Sequence, residues 1–200
     1  MAATFENGLF APLLERALRF ASRAHRDQVR KSSDVPYLSH PLAVAVILSR
    51  AGFDDDHVLA AALLHDVVED TPVSLNRLAA EFPDDVVQIV DALSEKKTDA
   101  GGAPRPWKDR KTEHVARIGT ATTEAKAVAL ADKLHNLRSM LLDYDACGES
   151  LWDRFNADKR QIEWYHEAVL AATAVDDERI ARLQAECREL LERLAGASAG

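Results

Sequence analysis

Apolar side chains recur along this chain at the three- and four-residue spacing of a helix face, broken by short polar stretches. Leu9, Leu13, Leu14, Ala17, Leu18 and Ala21 form the first stripe and predict a helix over 8–26. Asp27 to Ser39 is polar, contains Pro36 and reads as a loop. Pro41 is placed to open a second helix that runs to about Arg50 and ends at Gly52. Asp54 or Asp55 can cap a third helix through Asp70, which Thr71-Pro72 stops. Further helices are expected at Ser74–Glu81, Asp84–Leu93, Trp107–Ile118, Thr123–Leu142, Asp158–Ala172 and Asp177–Leu194. Asp99 to Pro106 is rich in Gly and Pro and reads as a mobile loop, and the small-residue tail from Gly196 to Gly200 is expected to fray. No strand-like alternation persists, so the pattern predicts an all-α fold: a single compact domain over 1–200, a bundle of roughly eight to ten helices.

The third helix breaks its own pattern. Val58 to Ala62, Leu63 and Leu64 are apolar, and then His65, Asp66, Glu69 and Asp70 follow within one and a half turns. His65 and Glu69 are four apart, as are Asp66 and Asp70, so each pair shares a face. Charges on a core helix are costly unless compensated, and a divalent cation compensates an imidazole and carboxylates most simply. Two other segments can complete such a site. Tyr37-Leu38-Ser39-His40 puts a histidine at a helix entrance, and Ala127 to Ala131 carries Asp132 into an apolar helix. On that helix Asp132, Asn136 and Ser139 fall on one face.

The formal net charge of −8 argues against nucleic-acid binding by a basic surface. No apolar run is long enough to span a membrane, and no secretory signal is visible at the N-terminus. Cys147 and Cys187 lack metal-type spacing, which suits a reducing, cytoplasmic setting. Positive charge is concentrated locally. Between Ser94 and Ile118, seven basic side chains, Lys97 among them, stand against four acidic ones, as an anionic ligand would require. His25, His57, His114, His135 and His166 read as structural or surface histidines. Trp152, Trp164 and Tyr165 read as packing for the C-terminal helices.

The order His…His-Asp…Asp resembles the HD phosphohydrolase superfamily. The strings HRDQVRKSSDVPYLSHPLAVAVIL, LAAALLHDVVEDT and ALADKLHNLRSM are similar to RelA/SpoT hydrolase domains, and specifically to the stand-alone small alarmone hydrolases, over about residues 10–170. The resemblance implies that His40, His65, Asp66 and Asp132 ligate a metal, manganese in that family, and that Glu69 and Asp70 activate and orient water. It also implies substrate contacts from Arg30, Lys31, Tyr37, Asn136 and Ser139. The loop Ser32 to Pro36 is one residue longer than the family pattern, which leaves the base preference open. The expected activity is removal of the 3′-pyrophosphate of guanosine alarmones. Open alternatives are adenosine alarmones, the 2′-phosphate of NADPH or a nucleoside monophosphate on the same site, or a non-catalytic nucleotide sensor. No synthetase-sized segment follows residue 175, so hydrolysis alone is expected. The expected partner is the nucleotide substrate, with neither nucleic acid nor membrane, and self-association into a homo-oligomer is compatible with the sequence.

Overall fold

A computed structural model describes residues 10–31 and 33–197. Among these residues the chain forms α1 (Pro12–Ala24), α2 (Ser39–Ala51), α3 (Asp56–Leu64), α4 (Val67–Asp70), α5 (Leu75–Ala79) and α6 (Asp84–Leu93). The chain continues through α7 (Trp107–Thr120), α8 (Thr123–Cys147), a 3-10 segment (Gly148–Arg154), α9 (Lys159–Ala172) and α10 (Glu178–Ala197). No strand forms among the described residues, where the only bridges are the isolated pairs Val29 with Pro36 and Thr98 with Pro104. The all-α expectation holds.

Local chemistry sets the helix ends. The Asp55 carboxylate accepts from the N–H groups of His57 and Val58, Ser74 Oγ from Arg77, and Thr122 Oγ1 from Ala125. Asp158 and Gln161 form a reciprocal capping box at the start of α9. Gly52 ends α2 at φ 97°, a conformation that disfavours any residue with a Cβ.

Several boundaries differ from the sequence reading. The first helix ends at Ala24 because the chain turns at His25, and Gly8 and Leu9 lie outside the described residues. Pro41 is the third residue of α2 rather than the first, since the turn from Pro36 already starts the helix at Ser39. Beyond Leu142, α8 runs on to Cys147, ending where Gly148 takes φ 58°. Within the Gly/Pro-rich loop the Asp99 carboxylate accepts from the N–H groups of Gly101 and Ala103 at 2.9 Å. Gly196 and Ala197 remain in α10, and the rest of the tail lies outside the described residues.

The most consequential difference is at His65. The expected helix through Asp70 divides into α3 and α4, with His65 and Asp66 at the turn between them. Nδ1 of His65 lies 2.7 Å from the carbonyl oxygen of Ala62, the oxygen a continuing helix would offer to the Asp66 N–H. The side chain thus competes with the ladder, and Asp66 relaxes to φ −95°, ψ −6°.

One cluster of buried apolar side chains extends from Leu14 to Leu194. Helix α3 lies at its centre against α1, α2 and α6, while α8 packs along α10 and α2. The N-terminal half of α8 is buried nearly all round, with Ala127, Val128, Leu130 and Ala131 each at or near zero exposure. Asp132 and His65 therefore start from elements that cannot turn away to solvent.

Candidate functional site

Three elements deliver four side chains to one point. His40, in the first turn of α2, is 1% exposed. Its Nε2 lies 3.1 Å from Asp132 Oδ1 and 3.4 Å from Asp66 Oδ2. His65 Nε2 lies 3.1 Å from Asp66 Oδ2 and 4.0 Å from Asp132 Oδ1. Donor atoms of His40, His65 and Asp132 all lie within 4.8 Å of one another. The bend at His65–Asp66 lets two consecutive residues face the same point, which a straight helix would separate by about 100°.

The donor set suits a divalent cation. Buried His65 Nε2 has no hydrogen-bond partner, although its Nδ1 is occupied by the Ala62 carbonyl. Nδ1 carries a proton to make that contact, so Nε2 is the ring nitrogen left facing the carboxylates. Burial alone lowers the pKa of His65, but the charges of Asp66 and Asp132 outweigh it and raise it to about 9. Burial opposes ionisation of Asp66, yet the neighbouring imidazoles of His65 and His40 hold it well below the usual carboxylate range. Asp132 is held low against burial, mainly by the Lys133 ammonium, whose Nζ is 2.7 Å from Oδ2. This is a centre poised to be positively charged. A bound divalent cation supplies that charge directly and favours the neutral imidazoles a metal needs.

Glu69 and Asp70 sit one turn further on, in α4. Glu69 Oε2 accepts from the Glu95 backbone N–H at 3.1 Å, and its Oε1 lies 3.4 Å from Lys97 Nζ. Burial, and then the charges of Glu95 and Asp66, push the Glu69 pKa up to about 7 against the pull of Lys97. A carboxyl with that value suits proton transfer near neutral pH. Asp70 is paired with the Lys97 ammonium, and its backbone carbonyl accepts from Gln28 Nε2 at 2.7 Å. The Tyr37 hydroxyl lies 2.6 Å from Asp66 Oδ2 and 3.1 Å from Asp70 Oδ2, joining the two acids. Burial and those two carboxylates raise the phenol pKa, so Tyr37 stays protonated and donates.

The remaining sequence candidates surround a larger cleft of about 850 Å³ that adjoins an inner pocket of about 180 Å³ at the acids. Arg30, Lys31, Tyr37, Lys97, Asn136 and Ser139 all line the cleft. Asn136 Nδ2 donates to Asp132 Oδ1 at 2.6 Å, and Arg30 donates to Asn136 Oδ1 at 3.1 Å, so a hydrogen-bond chain runs from the cleft to the acids. Lys31 Nζ lies 4.7 Å from the centre of the Phe155 ring, and burial lowers its pKa. Arg138, further along α8, pairs with Glu186 on α10. Ser32 lies outside the described residues.

Glu95, Tyr165 and His135 escaped the sequence reading. The Glu95 side chain is 2% exposed and holds Arg110 at 3.0 Å and the Lys111 ammonium, while its backbone holds Glu69. Lys133 is buried against Asp132, and Tyr165 lines both cavities instead of merely packing helices. His135 Nδ1 lies 2.8 Å from His40 Nδ1. His135 carried a usable signal, one turn after Asp132 on the same face. Glu95 carried none, since its partners come from other helices.

The chain is similar to several known proteins. A family described as an HD domain matches residues 17–162. The guanosine-3′,5′-bis(diphosphate) 3′-pyrophosphohydrolase MESH1 of Mus musculus is 38% identical over 161 residues, covering 80% of this chain and 83% of the relative. The crystal structure of lmo0812 from Listeria monocytogenes EGD-e aligns with a TM-score of 0.69 at 33% identity, covering 78% of this chain and 97% of that one. The structure of a metazoan ortholog of SpoT, described as hydrolysing ppGpp and playing a role in starvation responses, aligns with a TM-score of 0.74 at 28% identity. That alignment covers 92% of this chain and 96% of the other. No helix among the described residues is long and apolar enough to cross a membrane.

Proposed function

The chain belongs to the HD-domain family and, within it, to the small alarmone hydrolases, and on that premise we propose that it removes the 3′-pyrophosphate of guanosine alarmones. The products are GDP or GTP and pyrophosphate. The observation that carries this reading is the convergence of His40, His65, Asp66 and Asp132 beside a cleft lined by Arg30, Lys31 and Lys97.

In this reading His40 Nε2, His65 Nε2, Asp66 and Asp132 hold one divalent cation. Two imidazoles and two carboxylates suit Mn²⁺, Fe²⁺ or Zn²⁺, and manganese is the ion the family resemblance implies. When bound, the cation draws charge from a phosphoryl oxygen and lowers the pKa of water. Glu69, with its raised pKa, takes the proton of the attacking water, while Asp70, fixed by Lys97 and Tyr37, orients it. The water oxygen bonds to the phosphorus next to the ribose, the bond from phosphorus to O3′ breaks, and O3′ takes a proton from solvent while Glu69 returns its own to solvent. Arg30 and Lys31 neutralise phosphate charge from the cleft, and Asn136 and Ser139 face the nucleotide from α8. We assign residues 1–200 to one hydrolase unit acting on a free nucleotide, and a cytoplasmic setting, in keeping with the free thiols of Cys147 and Cys187.

Product analysis tests the reading. With Mn²⁺ present, ppGpp should yield GDP and pyrophosphate, faster than the adenosine alarmone offered alongside it. Release of single phosphates, or no turnover of either nucleotide, contradicts it.

A further inference from the structure

We propose that His135 is a positioning residue for His40, setting the tautomer and ring orientation with which His40 meets the cation. The inference rests on the ligand assignment above. Nδ1 of His40 and Nδ1 of His135 are 2.8 Å apart, close enough that one ring donates and the other accepts. The Nε2 of His40 faces Asp132 and Asp66 at 3.1 and 3.4 Å. For that nitrogen to offer a lone pair to a cation, the single ring proton must sit on Nδ1. His40 is then the donor and His135 Nδ1 the acceptor, which places the proton of His135 on its own Nε2.

The arrangement parallels that at His65, where a backbone carbonyl accepts from Nδ1 and leaves Nε2 bare. The imidazole at His40 reaches no such carbonyl, and a second imidazole fills the role. His135 comes from the same helix as Asp132 and lies one turn beyond it. Helix α8 thus supplies one ligand directly and fixes another from behind. Outer partners of this kind hold a ligand's orientation, and their loss typically weakens metal affinity about 10- to 100-fold.

The test is a metal titration that needs no turnover. Chelator-stripped protein is titrated with Mn²⁺ and free ion is read by electron paramagnetic resonance. The variants are His135→Phe, which keeps a ring and removes the acceptor, and His135→Asn, which restores a carbonyl oxygen near the lost Nδ1. The expected result is one ion per wild-type chain, roughly 10- to 100-fold weaker binding in His135→Phe, and near-wild-type binding in His135→Asn. Thermal unfolding of the stripped proteins confirms folding, and His135→Met replaces the Phe variant if that variant does not fold. Wild-type affinity in the acceptor-less variant overturns the proposal, as does equal weakening by Asn and Phe. Absence of Mn²⁺ binding by the wild type overturns the ligand assignment itself, and the role of His135 with it.

Discussion

The inner pocket and the outer cleft meet at Arg30, Tyr37, Glu69, Lys111, Lys133, Asn136 and Tyr165, yet they are built from opposite charges. Five carboxylates face the pocket, from Asp66, Glu69, Asp70, Glu95 and Asp132, with three imidazoles among them. Eight basic side chains line the cleft, against Glu69 and Asp143. The acids sit on short stems at helix ends and on a buried helix face, where packing dictates their direction. The cations sit on long stems from more scattered positions: Arg30 and Lys31 in the loop before α2, Lys97 and Arg105 between α6 and α7, Arg110 and Lys111 on α7, Lys133 on α8 and Arg154 in the 3-10 segment. A net charge of −8 therefore says little about what this protein binds. One surface can attract a cation within a few ångströms of another that attracts a polyphosphate, provided the two share a wall of paired charges. Glu69 with Lys97, Asp132 with Lys133 and Glu95 with Lys111 are that wall.

Perturbing each side separately tests the contrast. Replacing Asp132 with Ala has the largest expected effect: metal binding and turnover vanish together, as read by Mn²⁺ titration and pyrophosphate release. Full metal occupancy in that variant shows that the pocket is not the ligand set. Glu69→Gln leaves the ion in place and lowers kcat by about 100-fold or more, the scale of a lost proton acceptor.

The pH profile sharpens the role of Glu69. As a base it works only when ionised, so activity falls as pH drops through its pKa. That pKa, raised to about 7, sets the upper bound of the acid limb. A bound cation favours the carboxylate and moves the limb to lower pH. Glu69→Gln should remove the limb, and its persistence would assign it to another group.

On the cleft side, Lys31→Ala should raise KM about tenfold with kcat little changed, the loss expected for one charge-assisted contact. A fall in kcat alone would move Lys31 from binding to chemistry. The smallest effect is expected outside both cavities. Glu186→Ala breaks an exposed pair with Arg138 and should change neither metal affinity nor KM, with a stability cost below about 1 kcal/mol by denaturant titration.

What could be read from the sequence follows the same division. The proposed ligands announced themselves because charges interrupt apolar helices whose burial was already evident in their composition, around His65 and again at Asp132. The helix start capped by Asp55 was likewise legible. The bend at His65–Asp66 was not, because every residue there suits a helix and only the contact from His65 to the Ala62 carbonyl interrupts it. The pairing of His40 with His135 joins positions 95 apart in the chain. The burial of Glu95 beneath Arg110 and Lys111 depends on how α7 docks after α6. Both are consequences of packing between elements, which spacing within an element does not encode.

Anomalous diffraction at the manganese edge, from crystals grown with Mn²⁺, addresses the account most directly. It predicts one strong peak within coordination distance of His40 Nε2, His65 Nε2, Asp66 and Asp132, absent from Asp132→Ala crystals. A peak elsewhere, or none in protein that still hydrolyses ppGpp, would contradict it.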